Sequence, residues 1–124
     1  MLDPLQMTKI LSDEYNVKIL AATLKAAHSA DYLSRKLDIP IAACYRRIHL
    51  LSSAGLLKVE RKVLNPRGKW VTLFRSNLSR VNLAYEKGKL RVYVEKCDPE
   101  DPVDEGLWDI NTVYQKTTTQ TEFP

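Results

Sequence analysis

Cysteine, histidine and glycine are all scarce in this 124-residue chain, which has two, two and four of them. Two cysteines, Cys44 and Cys97, cannot staple a small domain, so stability has to come from a hydrophobic core. The histidines, His28 and His49, have no serine, cysteine or carboxylate at a recognised catalytic spacing, and no metal-ligand cluster surrounds them. Each glycine falls at a turn or a helix end, so there is no glycine-rich phosphate loop. No apolar run is long enough to span a bilayer. The start, Met1-Leu-Asp-Pro-Leu-Gln6, lacks the basic and apolar regions of a signal peptide. These absences argue against an enzyme, a cofactor, a bound metal or a membrane partner, and they predict a cytoplasmic protein.

The chain does have a divided charge. The net charge is +4, yet residues 1–97 carry 18 Lys+Arg against 8 Asp+Glu, and residues 98–124 carry 1 against 7. A basic body suits a polyanionic partner. The acidic end would shield that body, contact another protein or simply keep the chain soluble. Its prolines, carboxylates and Lys116-Thr-Thr-Thr-Gln-Thr run predict a largely flexible tail, except around Leu107, Trp108 and Ile110, which are suited to docking on the body or on a partner.

Four helices are expected before it. Asp3-Pro4 reads as a cap followed by proline at the first helical position. Ser12 is the expected cap of a second helix, carrying Val17, Leu20, Ala21 and Leu24 on one face and ending near Ala26–His28. Ser29 is placed to cap a third, with Tyr32, Leu33 and Leu37. After Asp38-Ile39-Pro40, a fourth runs to Ser53 and closes at Gly55.

Leu57–Leu64 and Lys69–Arg75 then read as a hairpin around the turn Asn65-Pro66-Arg67-Gly68. Leu57, Val59 and Val63 are expected on one face, and Arg61, Lys62, Arg67 and Lys69 on a basic rim. A second hairpin alternates through Val81, Leu83 and Tyr85 and back through Leu90, Val92 and Val94. The implied division is an N-terminal arm or short helix at 1–11, a helical and hairpin domain at 12–77, a second hairpin at 78–97 and the acidic tail at 98–124.

The fourth helix carries the strongest signal. Cys44, Ile48 and Leu51 form a core stripe, whereas Ala42, Tyr45, Arg46 and His49 form a second stripe that is polar, aromatic and cationic. A helix buried on one side and so equipped on the other fits the major groove of DNA. Arg46 lies on the outward stripe and is the expected base reader, worth about 1–3 kcal/mol of discrimination if bidentate to guanine. Arg47 projects sideways, toward a phosphate. Tyr45 and His49 suit sugar or phosphate contact, and Ala42 and Ala43, at the start of the helix, complete the expected DNA-facing set with weak base reading there. Arg67 and Lys69 at the hairpin tip, with Arg61 and Lys62 along it, suit minor-groove or backbone contact.

The order of helix, helix, recognition helix and basic hairpin is that of a winged helix-turn-helix, an α+β fold. Leu33, Leu37, Tyr45-Arg46-Arg47-Ile48, Leu51 and Ala54-Gly55-Leu56-Leu57 resemble the ArsR-like transcriptional regulators. Leu11-Ser-Asp-Glu-Tyr15, Ile19-Leu20, the Val81–Val94 segment and Leu107-Trp108 resemble the archaeal single-domain members of that group. The resemblance implies a homodimer on duplex DNA. Pro40 and Asp38 stand where such regulators often carry a hydroxyl residue and a glycine, and Ala42 and Ala43 replace hydroxyl residues. The Cys-x-Cys pair of the metal-sensing members is missing. The competing expectation is a winged-helix protein–protein interaction module within a transcription or chromatin complex, favoured by the acidic end around Trp108.

Overall fold

The computed structural model describes residues 3–112. Four helices come first: α1 (Pro4–Ser12), α2 (Glu14–Ala22), α3 (Ala30–Leu37) and α4 (Ile41–Ser53). Strands β1 (Leu57–Leu64) and β2 (Trp70–Ser76) pair antiparallel as the wing. Strands β3 (Leu78–Glu86), β4 (Lys89–Lys96) and β5 (Asp104–Asp109) form an antiparallel sheet in the order β3-β4-β5. The architecture is α+β, a winged helix-turn-helix followed by additional strands.

Local chemistry fixes the helix ends. Asp3 accepts from the Leu5 N–H at 3.2 Å, and Pro4 occupies the first helical position. Asp13, rather than Ser12, caps α2, accepting from the Asn16 N–H at 3.1 Å. Ser12 remains the last residue of α1, its hydroxyl donating to the Lys9 carbonyl. One aspartate, in extended backbone (φ −88°, ψ 120°), thus ends α1 and starts α2 and makes the corner between them.

Helix α2 also stops earlier than the sequence predicts. The buried Thr23 donates its hydroxyl back to the Ile19 carbonyl at 2.8 Å, and the chain leaves the helix to pair with the wing. His28 and Phe74 exchange both backbone hydrogen bonds, at 3.0 and 2.8 Å. Ser29 caps α3 as expected. At the far end of α4, Gly55 (φ 76°) allows Leu56 N–H to reach the Leu51 carbonyl and Gly55 N–H to reach that of Ser52, the arrangement that closes a helix on a left-handed residue.

The core is a single cluster. Met7 and Ile10 of α1 pack with Ile19, Leu20, Leu33, Ile39, Cys44, Ile48, Leu51, Leu56 and Leu57, and Val92 and Val94 of β4 join them. Burial raises the Cys44 thiol above its usual pKa, which keeps it protonated, and its Sγ lies 3.6 Å from the Ala30 carbonyl. Cys44 is therefore a small core residue, whereas Cys97 is exposed.

Two strand expectations need correction. A bulge at Glu60 shifts the register between Val59 and Arg61, so Val59 and Val63 end on opposite faces and Val59 is exposed. The acidic segment is also more ordered than its composition implied. Asp104–Asp109 adds to the free edge of β4 as β5, with Trp108 opposite Leu90. Carboxylates along it find lysines of the body: Lys58 meets Asp98 and Asp101 at 3.0 and 2.9 Å, and Lys96 meets Asp104 at 3.0 Å. Asn77, buried beneath this segment, donates to the Gly55 carbonyl and Asp101 and accepts from the Asp98 N–H. A backbone edge with hydrogen-bonding groups to satisfy, flanked by cations, outweighs the polar composition. The Lys116-Thr-Thr-Thr-Gln-Thr run lies outside the described residues.

Candidate nucleic-acid interface

Helix α4 is held from three sides. Ala43, Cys44, Ile48 and Leu51 face the core, and the Asp38-Ile39-Pro40 turn sets its entry, with Asp38 in the left-handed region (φ 55°) and Ile39 buried. The opposite stripe is open: Ala42, Tyr45, Arg46 and His49 are all exposed. Among the described residues, no ion pair or hydrogen bond engages the side chains of Arg46 and His49. Among the described residues, Arg46 therefore keeps its five donors free on an exposed face.

Two expected contact residues lie elsewhere. Ala43 is 7 % exposed and packs inward, because it sits one hundred degrees round the helix from Ala42 and falls on the buried arc. Arg47 is committed to the body. Its Nε and Nη2 both donate to Asp13 Oδ2, at 3.1 and 2.8 Å, and its guanidinium lies over the Tyr15 ring at 5.6 Å from the centroid. The pair ties α4 to the α1–α2 corner.

The Arg47 hydrogen bond is the main reason that the Asp13 carboxyl is held below its ordinary pKa, with the Asn16 N–H adding to it and burial opposing. A depressed carboxylate contributes stability above its unfolded pKa and loses it as pH falls through the folded value. Asp13→Asn keeps the cap but removes the charge. The variant is expected to melt below the wild type at neutral pH, with the gap closing below about pH 4. A gap of constant size in melts down to acid pH would refute the assignment.

The wing supplies the second cationic element. Asn65 Oδ1 accepts from the backbone N–H groups of Arg67 and Lys69, each at 2.9 Å, and Gly68 takes φ 79°. This turn fixes the tip and leaves both long side chains free to point outward. Arg61 is instead paired with Glu60, whose other oxygen accepts from Arg75 at 3.0 Å. Among the described residues Lys62, Arg67 and Lys69 have no carboxylate partner. Among the described residues, Tyr45, Arg46, His49, Lys62, Arg67 and Lys69 are thus the expected site residues whose charge or side-chain donors are uncommitted.

Sequence reasoning overlooked Trp70. It lies in the returning strand, is 70 % exposed and sits directly opposite Leu64, itself 58 % exposed. The available signal was the period of two from Phe74 through Thr72, which carries Trp70 to the wing's outer end beside Lys69.

Residues 11–60 match the family model of a helix-turn-helix domain, a span that runs from the end of α1 through α4 into β1. No curated protein matches the chain. The match supports a helix-turn-helix regulator that binds DNA. No helix among the described residues is long and apolar enough to cross a membrane.

Proposed function

We propose that this protein is a sequence-specific regulator that binds duplex DNA as a homodimer. Each subunit lays α4 in a major groove, with Arg46 toward the base edges and Tyr45 and His49 toward the flanking strand. Lys62, Arg67 and Lys69 of the wing meet the backbone beside it. The observation that carries this reading is the open stripe of α4, where Arg46 is exposed and uncommitted while the adjacent Arg47 is locked to Asp13.

A homodimer accounts for apolar surface that one copy leaves open. Leu83 and Tyr85 on β3, at the edge of the three-stranded sheet, are 42 % and 72 % exposed, and Leu5 on α1 is 43 % exposed. Two-fold symmetry then implies a roughly palindromic site with half-sites about one helical turn apart.

A winged helix used only for protein contact is the competing reading. Its main support was a free acidic end bearing Trp108, but that residue is half-buried in β5. A salt titration on mixed-sequence duplex separates the two. Three free wing cations per subunit, six per dimer, give an expected slope of log K against log salt near −5, from about 0.9 per phosphate neutralised. Absence of binding at low salt would leave only the protein-contact reading.

A further inference from the structure

Trp70 has no structural reason to be where it is. An indole that is 70 % exposed, paired across the ladder with a leucine that is 58 % exposed, keeps apolar surface in water at the tip of an otherwise cationic hairpin. The register places Lys62 and Thr72, a directly opposed pair, on the same face. That face looks across a cleft of about 210 Å³ toward α4. Tyr45 forms the far wall, with Ser29, Ala30 and Asp31 at the start of α3 closing the end.

The cleft therefore lies between the helix assigned to the major groove and the wing assigned to the backbone, and a DNA strand passing from one to the other has to cross it. Trp70, Tyr45 and Phe74 give it aromatic walls, Ser29 and Thr72 add hydroxyls, and among the described residues Asp31 is the only charged one lining it, which repels a phosphate. A deoxyribose fits such walls, since it offers an apolar face without charge, while the phosphates on either side lie toward Lys62 and Lys69.

We propose that Trp70 and Tyr45 form an aromatic clamp on the sugar of a DNA strand running between α4 and the wing, with Trp70 supplying affinity through apolar contact and not through charge. The proposal rests on the DNA-binding reading above and adds a contact whose energy has a different origin.

That difference is measurable. A phosphate contact releases counterions and steepens the salt dependence, whereas an apolar contact releases none. The experiment titrates the full chain and its variants with a labelled mixed-sequence duplex about three helical turns long, over a series of salt concentrations. Trp70→Ala is expected to weaken binding roughly tenfold at every salt concentration, by analogy with aromatic contacts to single strands, giving a line parallel to that of the wild type. Trp70→Phe is expected to recover part of the loss. Lys69→Ala, which removes one phosphate contact from each subunit of the dimer, is expected to reduce the slope itself by about 2.

The clamp is overturned if Trp70→Ala superimposes on the wild type. It is equally overturned if the variant leaves DNA affinity unchanged but alters the sedimentation of the free protein, which would assign the face to a protein contact. If the wild type binds no duplex, the DNA reading itself fails, an outcome distinct from a bound wild type that is indifferent to Trp70. The exposure of Trp70 keeps its replacement away from the core, and Trp70→Phe guards against damage to the strand.

Discussion

Arg46→Ala is expected to flatten the preference between a selected operator and its scrambled counterpart by about 5- to 150-fold for each half-site, the range that corresponds to one bidentate arginine–guanine contact. Arg46 is exposed, points away from the core stripe and has no partner among the described residues. Its removal leaves no buried charge behind, so stability should barely change while the affinity ratio collapses. Arg46→Lys should not restore the ratio, because an ammonium lacks the forked geometry that grips two acceptors at once. Competition binding with both duplexes measures this directly. An unchanged ratio would show that Arg46 does not read bases.

Met7→Ala is expected to cost about 2–5 kcal/mol of folding free energy, the range for deleting a large buried side chain. The sequence allowed 1–11 to be an arm, and an arm is expendable. In the structure Met7 is fully buried in the cluster that holds Leu33, Leu51 and Val94, and α1 packs against β4 and β5. Chemical denaturation measures the loss, and a change below about 0.5 kcal/mol would show that α1 is peripheral to the core. The effect should extend to the interface, because Gln6 and Lys9 of α1 line a crevice with Arg46 and Leu50 of α4. Loosening α1 removes one wall from beside Arg46, the proposed base reader.

Much of the candidate interface's burial pattern is legible in the sequence because it depends on helical period. In α4, Cys44, Ile48 and Leu51 are buried, and Tyr45, Arg46 and His49 are exposed, as spacing around a 3.6-residue helix requires. Ala43 was misplaced because its small side chain carries little hydrophobic signal, and an alanine one step from the outward stripe reads equally well either way. Arg47 was misjudged for a different reason. Its partner Asp13 is 34 residues away, and sequence spacing contains no information about such a pair. Trp70 was overlooked because a strand pattern gives alternation but not which face looks toward another element.

The same division applies to the whole molecule. Helix order, the α4 stripe, the wing turn at Asn65–Gly68 and the basic excess of residues 1–97 follow from the sequence, since each rests on local geometry or on composition. Tertiary structure alone decided that α2 stops at Thr23 so that His28 can pair with Phe74, that Glu60 bulges and turns Val59 outward, that an acidic segment becomes β5, and that one of two adjacent arginines is spent on Asp13. In each of these the deciding partner lies far along the chain or at an unpaired backbone edge. The energy of satisfying that partner outweighs the local preference on which a sequence pattern depends.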